Sequence, residues 1–250
     1  LYPEQSKKYI PFLEQQGFGK TVEYRVFTLR FFGDGKNITE QLERGSHIKL
    51  WNILAKSHAY PSAMFMLNNS LTVIRQDMSD KSVKKITDML DAIAEQKNMK
   101  YIMGISAQHR GYTSVPRLLE EAESARKAAS ADGKNYEFYA GMGINKIIFG
   151  VGDTRILKEF AQEKLKDIIS YDAEYKTDYA DILYKYLEND GSVMAVAEEC
   201  GLHRNTVNAK IKAVKSLFGI ELTGKKKMEL MLAFKIKNNL DKMNGGNSNE

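Results

Sequence analysis

Gly191-Ser192-Val193-Met194-Ala195-Val196-Ala197-Glu198-Glu199-Cys200-Gly201-Leu202-His203-Arg204-Asn205-Thr206-Val207 has the form of a helix-turn-helix. Ala197 and Gly201 stand four apart: the small side chain lets a second helix approach, and the glycine permits the tight turn between helices. Val207 falls where a β-branched core contact is expected. Val207, Ile211, Val214 and Phe218 follow 4-3-4 spacing and so share one helix face. Arg204, Asn205, Asn208 and Lys212 lie off that face, where a recognition helix presents polar groups to a DNA groove.

Charge is distributed to match. Residues 202–240 hold nine Lys or Arg against two acids, Glu221 and Glu229, a local charge of +7, while the whole 250-residue chain carries +5. The basicity is confined to one end, which beside a helix-turn-helix is an electrostatic footprint for phosphate. Most charge runs are solvated helix faces; here double-stranded DNA as partner accounts for pattern and charge together. The expected groove and adjacent backbone contacts are His203, Arg204, Asn205, Thr206, Asn208 and Lys212. Arg suits guanine and Asn adenine by bidentate geometry. Thr206 has a second role open to it, holding the helix start or a phosphate. Lys210, Lys215, Lys225, Lys226 and Lys227 are expected to meet phosphate.

Hydrophobic residues make up 43% and charged residues 28%, ordinary values for a soluble protein with room for two domains. No apolar run approaches the roughly 20 residues that span a bilayer, and Leu1-Tyr2-Pro3-Glu4-Gln5 lacks a signal-peptide character. A cytoplasmic location is expected. The first residue is Leu, so the chain is expected to be a fragment with further sequence upstream. Cys200 is the only cysteine, which excludes an intrachain disulfide and a Cys-cluster zinc site. It is expected to pack as a small hydrophobe.

Ahead of this motif the pattern alternates. A short connecting helix, Tyr9–Gln16, is expected within residues 1–20, then a strand over Val22–Phe32, rich in β-branched and aromatic residues. Thr39 caps a helix through about His58, with Leu42, His47, Leu50 and Leu54 inward. Strands Ala63–Leu67 and Leu71–Arg75 flank a tight Asn68-Asn69 turn, since Asn tolerates positive φ. A helix over Ser82–Gln96, a strand over Tyr101–Ser106, a helix from Ser114-Val115-Pro116 to Ala131 and a short strand over Asn135–Tyr139 follow; Ile144–Phe149 is short and apolar. The order β-α-β-β-α-β, then α and β, is a ferredoxin-like pattern with an extension. The chain is therefore expected to be α+β: a sheet domain over 21–150, a helical linker over 151–176, an all-α helix-turn-helix domain over 177–240, and a disordered tail over 241–250.

The segment from about Tyr171 to Leu240 resembles the C-terminal DNA-binding domain of the PucR/CdaR family, regulators of purine catabolism and sugar-diacid use. The resemblance rests on Tyr171-Asp172, Tyr186-Leu187-Glu188, Gly191-Ser192-Val193 and above all His203-Arg204-Asn205-Thr206-Val207, continued by Ile211, Val214, Leu217, Phe218-Gly219-Ile220 and Leu222. The His-Arg-Asn-Thr stretch also looks like the recognition helix of Fis-type activators. In the PucR/CdaR family a degenerate GGDEF-like domain precedes the helix-turn-helix. Gly104-Ile105-Ser106, Leu118–Ala129 with Glu121-Ala122, Phe138-Tyr139 and Gly143 resemble its second half. The resemblance implies a transcriptional regulator, with a small-molecule inducer sensed by an N-terminal region missing here; a homodimer on DNA is expected because one helix-turn-helix contacts only a few base pairs.

An active GGDEF domain carries its signature on the hairpin between the second and third strands. Here that hairpin reads Met66-Leu67-Asn68-Asn69-Ser70-Leu71, with no Gly pair for a nucleotide and no carboxylates for magnesium. A scaffold that relays signals or dimerises is expected, and no enzyme activity; the rival is a nucleotide cyclase or phosphodiesterase with an appended helical domain. Gly19-Lys20-Thr21 lacks the upstream glycine of a phosphate loop, Glu14 standing in its place. Gly141-Met142-Gly143 reads as a turn. His47, His58 and His109 show no metal-ligand spacing, so neither metal nor cofactor is expected. Trp51 reads as core. The Lys225–Lys227 triplet with Met228, Leu230, Met231, Leu232 and Phe234 could form a membrane-surface helix, but it is better explained as the last helix covering the helix-turn-helix.

Overall fold

The structure, a computed structural model, describes residues 10–15, 17–33, 36–39, 63–76, 78–151 and 153–246. It is an α+β protein whose chain divides into two compact units meeting in sequence at Gly152 and Asp153. The first unit contains α1 (Ile10–Gln15), β1 (Glu23–Gly33), β2 (Lys36–Asn37), β3 (Ala63–Leu67), β4 (Ser70–Gln76), α2 (Asp80–Gln96), β5 (Lys100–Ile105), β6 (His109–Arg110), α3 (Val115–Ala131), β7 (Tyr136–Phe138) and α4 (Asn145–Gly150). Beyond Thr39, the helix expected over residues 39–58, with His47, Trp51 and His58, lies outside the described residues.

β1 is the centre of the sheet. It pairs antiparallel with β4 on one side and β5 on the other, so that Phe27 stands opposite both Val73 and Ile105. The order is β3-β4-β1-β5-β7, with β7 parallel to β5 and the two-residue strands β2 and β6 pairing at the ends of β1. The order β3-β4-β1-β5 is that of a βαββαβ ferredoxin-like core, and β7 adds an edge strand to it. At the β3–β4 hairpin Asn68 and Asn69 both take left-handed φ, 49° and 56°, the two-residue turn whose twist suits an antiparallel ribbon.

Alternation along β1 separates two cores. Phe27, Leu29 and Phe31 bury against Val83, Ile86 and Leu90 of α2. Tyr24 and Val26 bury on the opposite face with Ile74 and with Val115, Leu118 and Ala122 of α3. Ser79 begins α2 by accepting the Ser82 N–H at 3.2 Å. The apolar stretch at 144–149 forms α4, burying Ile148 and Phe149. His109, a loop residue by sequence, belongs to β6, and its Nε2 lies 3.0 Å from the buried Glu121 carboxylate. The same carboxylate takes the Ala107 N–H at 3.1 Å and the Arg117 Nε–H at 2.9 Å, so the buried charge is satisfied.

The second unit, Asp153–Asp241, is all helical: α5 (Thr154–Tyr175), α6 (Tyr179–Glu188), α7 (Val193–Cys200), α8 (Arg204–Leu217) and α9 (Gly224–Gly246) as far as Asp241, the residues from Lys242 onward grouping with the first unit. Two expectations change here. Residues 151–176 are more than a linker, because Leu165 and Ile168 of α5 are buried with Leu183, Leu187, Val214, Leu230, Ala233 and Phe234. Residues 241–246, expected in a disordered tail, continue α9. The Lys237–Asp241 ion pair, one turn apart, supports that continuation. Among the described residues no helix is long and apolar enough to cross a membrane, and no cluster of three or more His, Cys, Asp or Glu could hold a metal ion.

Gly104 fixes the spacing of β5 and α3. A Cβ there would lie 1.9 Å from the Ala122 carbonyl oxygen and 2.3 Å from the Arg126 nitrogen, backbone atoms of a packed helix that cannot swing aside. Gly104→Ala should therefore destabilise the sheet unit by about 3 kcal/mol or more, the upper end of overpacking costs. Urea unfolding followed by circular dichroism measures it, and an unchanged midpoint would contradict the close approach.

Candidate nucleic-acid interface

The helix-turn-helix is made by α7 and α8, supported by α6. Ser192 caps α7, accepting the Ala195 N–H at 3.2 Å. Gly201 ends the helix in the left-handed conformation at φ 63°, and Leu202 N–H returns to the Ala197 carbonyl at 2.9 Å, a Schellman-type closure that turns the chain sharply. Val196, Ala197, Val207 and Ile211 bury together with Ile182 of α6, and Leu202 and Cys200 pack against them half-buried. Cys200 does so while its Sγ accepts from Lys185 Nζ at 3.5 Å. Farther along α8, Val214 joins the α5 and α9 core, with Phe218 half-buried against it.

What holds α6 in place comes from α5. The Asp172 carboxylate accepts the backbone N–H groups of Tyr179 and Ala180 at 2.9 and 2.8 Å and the Thr177 hydroxyl at 2.5 Å. A negative charge thus sits on the positive end of the α6 dipole and satisfies two donors that have no partner inside the helix. Beside it the Tyr171 ring stacks on Tyr179 with centroids 5.8 Å apart and meets Phe218 edge-on at 5.5 Å.

Successive residues of α8 turn by about 100°. Asn205, Ala209, Lys212 and Ser216 accordingly stand opposite the buried Val207, Ile211 and Val214, and all four are exposed. Arg204, Asn208 and Lys215, also exposed, run along one shoulder of this front; Thr206 and Lys210 are on the other. Of the residues singled out by sequence, Arg204, Asn205, Asn208, Lys212 and Lys215 therefore come together as one polar, basic stripe.

Three of the others sit differently. His203 is the N-cap of α8: its Nδ1 accepts the Asn205 N–H at 3.2 Å, so the opposite ring nitrogen is the one turned outward. The helix start is therefore held by His203, and the exposed Thr206 is left without that task. Lys210 Nζ lies 2.5 Å from both carboxylate oxygens of Asp178 and is half-buried, which ties the far shoulder of α8 to the start of α6. Lys235 and Lys237, part of the local basic count, pair within the unit with Glu188 at 2.9 Å and Asp241 at 2.5 Å. The Glu188 bond holds Lys235 more firmly protonated than an ordinary lysine. Lys225, Lys226 and Lys227 occupy the first turn of α9, where Thr223 Oγ1 accepts the Lys226 N–H at 3.3 Å.

Sequence reasoning missed Asp172 and Asp178 as positioning residues. Asp172 was visible only as part of a resemblance; Asp178 precedes α6 at the place where an acid is favoured, which was the available signal.

Residues 179–236 match the PucR C-terminal helix-turn-helix domain family. By this match the C-terminal unit carries a PucR-type helix-turn-helix. The proline-responsive transcriptional activator PutR of Bacillus subtilis (strain 168) is 26% identical over 125 residues, which take in 48% of this chain and 30% of that protein. The chain thus spans under a third of the length of that curated relative. The crystal structure of a regulator of polyketide synthase expression from Bifidobacterium adolescentis aligns over 92% of this chain and 90% of its own, at 13% identity and a TM-score of 0.40.

The Asp172 bridge has a measurable consequence. Asp172→Ala should lower the stability of the helical unit by about 1–2 kcal/mol, the scale of a lost cap, and Asp172→Asn by less, because one acceptor oxygen remains. Chemical denaturation of both variants checks this. Equal losses would mean that volume, and not capping, is what Asp172 supplies.

Proposed function

We propose that this chain is the DNA-binding part of a sequence-specific transcriptional regulator that acts as a homodimer in the cytoplasm. The observation that carries the proposal is the exposed stripe Arg204, Asn205, Asn208, Lys212 and Lys215 on α8 of a PucR-type helix-turn-helix. In this proposal the front of α8 enters the major groove. Arg204 pairs with a guanine, Asn205 or Asn208 with an adenine, and Lys212 and Lys215 with base edges or flanking phosphate. Lys225, Lys226 and Lys227 meet phosphate from the start of α9, while His203 and Thr206 border the backbone. Lys210 contributes little, since its charge is already matched by Asp178. One recognition helix reads only a few base pairs, so two copies about a two-fold axis supply the required specificity and read an inverted repeat. The sheet unit relays or dimerises without enzyme activity, and a small-molecule inducer controls DNA binding.

Selection from a random duplex pool, followed by binding isotherms at several salt concentrations, tests the proposal. One motif with two-fold symmetry should be enriched; recovery of unrelated sequences would refute sequence-specific binding. Arg204→Ala should cost about 1–3 kcal/mol on the selected site and relax one of its positions. Neutralising Lys225, Lys226 and Lys227 together should weaken selected and scrambled duplexes alike and flatten the salt dependence by up to about three units of slope, whereas Lys210→Ala should barely change that slope. Equal weakening of both duplexes by Arg204→Ala would make Arg204 a phosphate contact.

The signalling-enzyme alternative makes a different prediction. The purified chain incubated with GTP and magnesium should yield no cyclic dinucleotide, because Asn68 and Asn69 occupy the hairpin where metal-binding carboxylates would be needed. Sustained product would replace the scaffold role with a catalytic one.

A further inference from the structure

Among the polar groups on the front of α8 there is one methyl. Ala209 is exposed and stands opposite the buried Val207, Ile211 and Val214, in the row Asn205, Ala209, Lys212 that faces directly away from the core. Asn205 is one turn before it and Lys212 almost one turn after it, so their side chains flank it on the same face. Arg204 and Asn208 stand along the adjacent shoulder. All of these neighbours are long enough to reach base edges or phosphate, while Ala209 reaches no farther than its Cβ. Ser216, the other short residue of this front, lies two turns farther along, so in the N-terminal half of α8, the part of a recognition helix that meets base edges, the closest approach of the backbone is at Ala209.

Only one group in the major groove rewards an apolar contact at that distance. Adenine, guanine and cytosine present donors and acceptors there, and a methyl against any of them buries a polar atom without a partner. Thymine alone presents a methyl, at C5. We propose that Ala209 is a specificity-determining residue of the interface: its Cβ packs on the C5-methyl of a thymine lying between the bases addressed by Asn205 and Lys212. The inference rests on the DNA-binding function proposed above and adds a base identity to it. Asn205 and Ala209 together then favour an adenine and a thymine at neighbouring positions of each half-site, one by hydrogen bonding and the other by exclusion of water. Ala209 also explains how the flanking side chains can all engage at once, since a larger residue at the centre of the row would hold the helix away from the groove floor.

Deoxyuridine lacks only the C5-methyl of thymidine and keeps its pairing, so it isolates this contact. The full chain is used to select a preferred duplex, and each thymine of the motif is replaced singly by uracil. Burial of one methyl is worth about a fourfold change in affinity. One thymine per half-site should show a loss of about that size with the unaltered protein. With Ala209→Gly the same replacement should cause no loss, and the variant should bind the thymine and uracil duplexes equally. Ala209→Ser, which keeps the helix while adding a hydroxyl, should also lose much of its preference for the methyl; far-UV circular dichroism confirms that both variants are folded. A persisting fourfold preference in Ala209→Gly, or insensitivity of the unaltered protein to every thymine-to-uracil change, would overturn the role of Ala209 while leaving sequence-specific binding intact. Failure to enrich any motif would overturn both.

Discussion

Two backbone N–H groups at the start of α6 end on the carboxylate of Asp172, and the position of α8 follows from that bond. α6 supplies Ile182 to the small core in which Val196, Ala197, Val207 and Ile211 meet. If α6 shifted along its axis, Ile182 would leave its place and α8 would lose the floor it rests on. Asp178, at the same helix start, holds the other side of α8 through Lys210. The unit thus concentrates charge where helices begin, and leaves burial to a few branched and small residues. Such cores are intolerant of volume changes, so orientation of the outward face is set with little slack.

The parts of the fold that sequence reveals are those fixed by neighbours in sequence. The Asn68-Asn69 turn follows from two residues that tolerate positive φ, and the α7–α8 turn from Gly201. The buried face of α8 follows from the spacing of Val207, Ile211 and Val214, which no distant residue needs to confirm. The central place of β1 was only implied by its density of β-branched and aromatic residues. α5 was harder to read, because Leu165 and Ile168 are separated by charged residues and gain their meaning only from Leu183, Leu187 and Leu230, which approach in the folded unit.

Charge was legible in amount and not in use. The nine basic residues among residues 202–240 give the amount of charge and not which partners it meets. Lys210, Lys235 and Lys237 close ion pairs inside the unit, two of them with acids far away in sequence, Asp178 and Glu188. Exposed pairs of this kind add little stability, but they remove positive charge from one part of the surface and so sharpen the stripe that remains. The His203 cap was hidden for another reason: caps are sought among Ser, Thr, Asp and Asn, and a histidine beside Arg-Asn-Thr looks like one more groove residue.

The first turn of α9 bears Lys225, Lys226 and Lys227 and no acidic residue. Helix dipoles place positive partial charge at that end, so the three lysines repel both one another and the helix that carries them. On the dipole alone this costs the free helix stability, offset at Lys226 by the Glu163 carboxylate, which Lys164 and, more weakly, Lys226 hold toward its charged form. An anion arriving there removes the penalty and makes its own contacts in the same event, so that ligand affinity and helix stability become two measures of one quantity. Selection for a more heat-resistant protein would then drift toward Asp or Glu at these positions, and would weaken the proposed phosphate contact without touching a single residue of α8.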